Sequence, residues 1–250
     1  MTRDEILGTP SMPAAAPSYP HGPFRFIDRQ YFTVAYKSDP DAIRAAVPEP
    51  LVPDPEGIVY YEWIRMPDSS GFGDYTESGI VIPCHYHGVA CNFTSQMYLD
   101  DEPPIAAGRE IWGFPKKHAH PKLEVKHDTL TGTLHYAGER VALGSMVYKW
   151  EPHVRDVNKT YESLTKKQVC LKLIPDVDGK PAIAQLVHFH LTDVTVKGSW
   201  TGPARLHLIP HVNAPVADLP VRQVIGGLHF IADLTLPYGE VLHDYLKPGS

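Results

Sequence analysis

Two adjacent lysines, Lys116 and Lys117, close the stretch Gly108 to Lys117, which reads GREIWGFPKK. Pro115 fixes its own φ and biases Phe114 toward extended backbone, so the pair is expected to enter or leave a strand. Successive side chains of a strand point to opposite faces, which lets one lysine face inward while the other faces elsewhere. Ile111, Trp112 and Phe114 form a bulky apolar approach that could keep one amine dry. A dry lysine favours its neutral form and becomes a nucleophile toward carbonyl carbon, giving an imine. For an arbitrary Lys-Lys pair the plain reading is a solvated pair on an edge strand, because lysine is almost never buried without a partner.

Histidine offers a second chemistry. Among the 14 histidines are the pairs His85/His87, His118/His120 and His188/His190. On a strand each pair would share a face and could chelate a metal, as in a cupin-like barrel. The usual cupin pattern places a Glu shortly after the pair, and GVACN follows His87 instead, so metal-free histidines are expected. A non-enzymatic alternative keeps Lys116 as the partner of a bound carboxylate.

The elements that must position these groups are mostly strands. Phe24 to Tyr36 is rich in aromatics and Ile58 to Met66 in aromatic and β-branched residues, and both read as strands; Ile80 to Tyr86, Val89 to Leu99 and Ile105 to Ile111 follow as strand candidates. Gly71 to Gly79 reads as a glycine-rich loop. Leu130 to Tyr136 and Arg140 to Tyr148 flank Ala137-Gly138-Glu139 as a hairpin, and Gln168 to Ile174 with Ala182 to Thr192 flank Asp178-Gly179 as another. Val194 to Trp200, Ala204 to Ile209 and Gly226 to Leu236 add strands. Asp39-Pro40 opens a short helix over Asp41 to Val47, stopped by Pro48. Thr2 and Glu5 are spaced as a capping box for a turn or two of helix over Thr2 to Leu7, and Asp156 to Leu164 reads as loop or short helix. Thr9 to Pro23 is too rich in proline for regular structure and reads as an extended arm that could wrap a neighbouring subunit. With 25 prolines and 19 glycines and no repeat, many short strands joined by turns are expected.

GREIWGFPKK resembles the signature of the acetoacetate decarboxylase family. Other stretches resemble that family in the same order: HGPFRFIDRQYF (His21 to Phe32), DPDAIRAAVPEPL (Asp39 to Leu51), GFGDYTESG (Gly71 to Gly79), MYLDDEPPIAAGRE (Met97 to Glu110), LTDVTV (Leu191 to Val196), SWTGPARL (Ser199 to Leu206) and EVLHDYLK (Glu240 to Lys247). The resemblance covers nearly the whole chain. It implies a single domain over 1–250, with 1–23 as its N-terminal arm. The implied fold is mainly β (α+β), a cone-shaped antiparallel barrel with a few short helices. It also implies a large homo-oligomer such as a dodecamer, no cofactor, and decarboxylation of acetoacetate to acetone and CO2.

By the same resemblance Lys116 is the Schiff-base residue and Lys117 its modulator, with Arg29, Glu62 and Glu77 as the other catalytic positions. Arg29 suits the substrate carboxylate, being permanently charged and forked. Too firm a grip would stabilise the ground state, so it is expected to guide more than clamp. Glu77 could orient that carboxylate by repulsion or shuttle protons, and Glu62 could hold Arg29 or assist proton transfer. Phe26, Met97 and Phe114 are candidates for an apolar lining, although plain core packing explains each singly. Tyrosine is common in the family where this chain has Phe114, so a hydroxyl-based role is lost there.

A lysine tuned by desolvation or by a neighbouring cation is already described for acetoacetate decarboxylase. The balance between the two causes can be argued. Taking a lysine from near 10.4 to about 6 or 7 requires roughly 5 kcal/mol. A second ammonium ~7 Å away at an effective dielectric of ~20 supplies about 2.4 kcal/mol. Burial can supply ~3–5 units, so desolvation is expected to dominate at Lys116. Relatives of this fold carry out aldol or dehydration chemistry on keto acids, but Arg29 and Glu77 beside the whole lysine motif favour decarboxylation.

Composition narrows the setting. Of 250 residues, 43% are hydrophobic and 21% charged, enough for a substantial core. A formal charge of −6 with no basic run beyond Lys116-Lys117 and Lys166-Lys167 argues against nucleic acid as partner. The N-terminus is too polar and proline-broken for a signal peptide, and no stretch is long and apolar enough for a membrane helix. Three cysteines without a CxxC spacing point to reduced thiols and a cytoplasmic setting.

Overall fold

The computed structural model describes residues 1–152 and 157–247. Helix α1 (Arg3–Leu7) carries the expected capping box: Thr2 Oγ1 accepts from Glu5 N–H, and Glu5 accepts in return from Thr2 N–H. Residues 9–23 hold no helix or strand. They lie against the chain's own body, with Tyr19 buried and its hydroxyl donating to Glu110 Oε2 at 2.5 Å.

Strands β1 (Phe24–Lys37), β2 (Val52–Pro53), β3 (Ile58–Ser69), β4 (Gly73–Tyr86) and β5 (Val89–Leu99) follow, with helix α2 (Pro40–Ala46) after β1. Helix α3 (Glu102–Ala107) runs into a π-helical turn (Gly108–Trp112). Then come β6 (Lys116–His118), β7 (His120–Lys126), β8 (Thr129–Tyr136), β9 (Glu139–Val147) and β10 (Glu151–Pro152). Helix α4 (Val157–Thr165) precedes β11 (Gln168–Pro175), β12 (Pro181–Phe189), β13 (Thr192–Gly202), β14 (Ala204–Leu208), β15 (Gln223–Leu236) and β16 (Glu240–Asp244).

The larger sheet runs β10-β13-β15-β1-β3-β4-β5-β11-β12-β16, with β2 on β4 and β6 on β5. The smaller runs β14-β9-β8-β7. Pairing is antiparallel except where β5 meets β11 and β6, both parallel. The larger sheet is an open path among the described residues.

Strand alternation divides the core in two. From β3, Tyr61 and Trp63 join the cluster beneath the smaller sheet, while Ile64 and Met66 join a second cluster on the opposite face with Phe24, Phe26, Tyr31, Met97 and Trp112. The Trp63 indole lies against Gly132 and Gly144, paired neighbours on β8 and β9. A β-carbon at either would come within 2.4 Å of the ring.

Several sequence expectations need correction. Ile105 to Ile111 is α3 and the π-helical turn, not a strand. Asp101 caps the helix by accepting from Glu102 N–H, and the prolines sit in a first turn where no N–H is required. Gly71 to Gly79 is a loop only at its start, since β4 begins at Gly73. β7 is not expected from the sequence because of Pro121 and its charged residues; among the described residues it pairs only with β8, and an edge strand tolerates proline. The stretch expected as loop or short helix is α4, although Asp156 lies outside the described residues. No helix among the described residues is long and apolar enough to cross a membrane.

Candidate active site

The lysine motif is shaped by two glycines. The π-helical turn has Gly113 N–H and Phe114 N–H both donating to Gly108 C=O at 2.9 Å. π-helical turns are rare and frequent at functional sites. Gly113 then takes the left-handed conformation at φ 83°, packed so closely that a β-carbon would lie 2.4 Å from Lys172 Cα. The chain turns through Phe114-Pro115 into β6, where Lys116 pairs with Met97 of β5. Arg109 Nη1 donates to Lys116 C=O at 3.2 Å.

Lys116 and Lys117 project to opposite faces. Lys116 is 6% exposed, and its Nζ donates to Glu77 Oε1 at 2.8 Å; Glu77 is 3% exposed. The Lys116 nitrogen lies 5.1 Å from the Phe114 ring centre and 6.0 Å from that of Tyr75. Lys117 turns away toward the smaller sheet, donating to Asn213 C=O at 2.5 Å and lying 5.0 Å from the Tyr136 ring centre.

Lys116 opens on a cavity of about 230 Å³. Alternation on β4 aims both Tyr75 and Glu77 into it, and β3 contributes Glu62, which accepts from Thr33 Oγ1 at 3.4 Å. Burial pushes the Glu62 carboxyl up to about 7, opposed by Arg29 and Thr33 and reinforced by Glu77. Burial and the adjacent Glu77 carboxylate hold the Tyr75 phenol well above its ordinary range.

Arg29 reaches the cavity from β1, its guanidinium 5.0 Å from the Phe26 ring centre and 4.9 Å from that of Tyr31. Its Nε is buried without a hydrogen-bond partner among the described residues. Burial works to lower its pKa, but Tyr31, Glu77, Tyr75 and Glu62 outweigh it, and the value lies above that of free arginine. A half-buried cation whose Nε is a buried, unused donor suits an incoming carboxylate.

Phe26, Arg29, Glu62, Glu77, Met97, Phe114 and Lys116 thus share one cavity, and Lys117 lies outside it. Sequence reasoning missed Tyr31, Thr33 and Tyr75 as lining. Each lies two or four residues from a chosen position on the same strand, so the period-two rule would have found it.

None of the three histidine pairs lies wholly within one strand, although the rings of His118 and His120 are 5.2 Å apart and those of His188 and His190 6.1 Å. His87 is in a turn at φ 46°, past the end of β4. His118 and His120 flank the break between β6 and β7, and His190 follows the end of β12. Among the described residues no three His, Cys, Asp or Glu side chains group to hold a metal ion.

The family model "Acetoacetate decarboxylase (ADC)" matches residues 9–246. The acetoacetate decarboxylase of Bordetella avium (strain 197N) is 56% identical over 236 residues, covering 94% of this chain and 95% of that protein. A crystal structure of acetoacetate decarboxylase from Legionella pneumophila superposes with a TM-score of 0.91 at 50% identity, covering 97% of each chain. A further structure described as acetoacetate decarboxylase gives a TM-score of 0.95 at 46% identity, covering 99% of this chain and 100% of the other. A mainly β fold shared along its whole length, with identity this high over nearly every residue, leads to one conclusion: this chain belongs to the acetoacetate decarboxylase family of enzymes.

Proposed function

We propose that the protein decarboxylates acetoacetate to acetone and CO2 through a Schiff base on Lys116. The observation that carries this reading is a buried lysine nitrogen at the wall of an apolar cavity that also holds Arg29. The Lys116 amine adds to the keto carbon, and loss of water gives a protonated imine. That cation accepts the electron pair of the breaking C–C bond as CO2 leaves, giving an enamine. Protonation of the enamine carbon and addition of water then release acetone and restore the amine.

Dry walls disfavour the ammonium, so desolvation is the main source of free amine. Glu77, 2.8 Å away, takes and returns protons as the carbinolamine forms and collapses. Glu62, whose carboxyl burial pushes up to about 7, gives a proton to the enamine carbon. Arg29 receives the substrate carboxylate, and Phe26, Met97 and Phe114 shape the apolar side. Lys117 acts indirectly, by tying β6 to the segment at Asn213.

The chain works as one domain whose larger sheet curls as a cone around the cavity, in a large homo-oligomer such as a dodecamer, without a cofactor. Three buried free cysteines support a reducing, cytoplasmic setting. The test is borohydride reduction with acetoacetate followed by mass spectrometry, alongside a CO2 assay. An adduct on Lys116, lost together with turnover in Lys116→Ala, is expected. Full turnover without Lys116 would overturn the reading.

A further inference from the structure

We propose that Asp233 is a positioning residue for the substrate carboxylate: with Asp28 and Lys197 it clamps the β-bulge that turns Arg29 into the cavity. The inference rests on Arg29 being the carboxylate's receiver, as argued above.

Phe26 and Arg29 are three residues apart, and in a regular strand they would point to opposite faces. Both line the cavity. The register explains how. Phe26 pairs with Leu234 and Arg29 with Ala232, so Ile27 and Asp28 together oppose the single residue Asp233. A bulge of this kind re-aims the side chains that follow it. It also places Asp28 at φ 54°, a left-handed conformation that disfavours residues bearing a β-carbon. Such backbone persists only where its surroundings hold it.

The surroundings here are specific. Asp233 Oδ1 accepts from Asp28 N–H at 2.8 Å, tying down the strained residue by its backbone. Lys197 Nζ lies 2.7 Å from Asp233 Oδ1 and 2.6 Å from Asp28 Oδ1. Lys197 is itself an extra residue: Val196 pairs with Ala232 and Gly198 with Ile231, leaving it unpaired on β13. Irregularities on β1 and β13 therefore meet across Asp233, joined by one ammonium. Arg25 approaches the other carboxylate oxygen at 4.0 Å.

An isolated surface ion pair would contribute little. Asp233 differs in being 16% exposed and in accepting a backbone hydrogen bond from the bulge. Partial burial pushes its carboxyl up, yet the hydrogen bonds from Lys197 and Asp28 N–H hold it below the usual range. The clamp lies outside the cavity lining, so it reaches substrate only through the lining residues that the bulge positions, Arg29 above all.

In the intact protein, Asp233→Ala should raise KM for acetoacetate about tenfold with kcat changed less than about twofold, the pattern of lost ground-state binding. Asp233→Asn keeps an oxygen for Asp28 N–H and should fall between. Acetone carries no carboxylate, and its borohydride-trapped adduct on Lys116 should form in Asp233→Ala at the wild-type rate. Adding Asp28→Gly, which accepts a left-handed φ freely, should bring KM back to within about threefold of wild type.

Arg29→Leu is the reference: it should raise KM, and Arg29→Leu with Asp233→Ala should be no worse than Arg29→Leu alone. If Arg29→Leu raises KM and Asp233→Ala does not, the clamp has no positioning role. An equal fall in acetone trapping would also overturn it, since the defect would be general. If Arg29→Leu leaves KM unchanged, the carboxylate reading itself fails. Should Asp233→Ala not fold, Lys197→Met is measured against the same criteria.

Discussion

The side chain of Lys116 crosses directly over Gly108: a β-carbon there would lie 2.6 Å from Lys116 Cδ, 2.8 Å from Cε and 3.2 Å from Nζ. No other residue type leaves that path open, so Gly108→Ala must displace the amine. Displacements near 1 Å can cost about 100-fold in rate. We expect a fall in kcat of about that size and slower borohydride trapping, with the far-ultraviolet circular dichroism spectrum unchanged.

Lys117 and Lys116 are neighbours in sequence but lie on opposite faces of β6. Lys117→Met should therefore leave the midpoints of the activity–pH profile within about a unit of wild type. A shift of several units would mean that the second charge governs the first.

Glu62 gives two pH predictions. In its proposed role of proton donor, with its carboxyl pushed up to about 7, it should make turnover fall as pH rises through about 7, and Glu62→Gln should lose that limb. For stability the sign is set by its raised folded value. Between about 4.5 and 7 the folded protein holds a proton that the unfolded chain has released, so stability declines with rising pH across that window. Relative to Glu62→Gln, wild type should lose on the order of 3 kcal/mol there, measured by urea unfolding at several pH values.

Cys84, Cys91 and Cys170 are buried. Burial raises the thiols of Cys84 and Cys170 to about 12 and that of Cys91 to about 11. Since the thiolate is the reactive form, a disulfide reagent at pH 8 should label none in the native protein and all three in denaturant. Rapid native labelling would contradict this packing.

Much of this arrangement is legible in the chain, because a strand's period of two needs only local sequence. That rule sends Lys116 and Lys117 to opposite faces and would have placed Tyr75 beside Glu77. It fails where pairing becomes irregular. Nothing near Asp28 announces a bulge, because its clamp comes from Lys197 and Asp233, distant in sequence. The segment from Ile105 misleads because β-branched residues suggest a strand, while the Asp101 cap and the following prolines decide for helix. The histidine pairs show the same limit, since each reaches past the end of a strand, where two-residue spacing no longer fixes a shared face.

Glu62 and Trp63 are consecutive on β3, one facing the cavity and the other packed on the paired Gly132 and Gly144. Neighbours on one backbone cannot shift independently, so the back of the molecule helps set where the acid sits. A methyl group added at either glycine would push the indole, and through it the carboxyl. Catalytic fitness should therefore be sensitive to changes in a region that never meets substrate, and attempts to broaden the range of keto acids should leave that rear seat untouched.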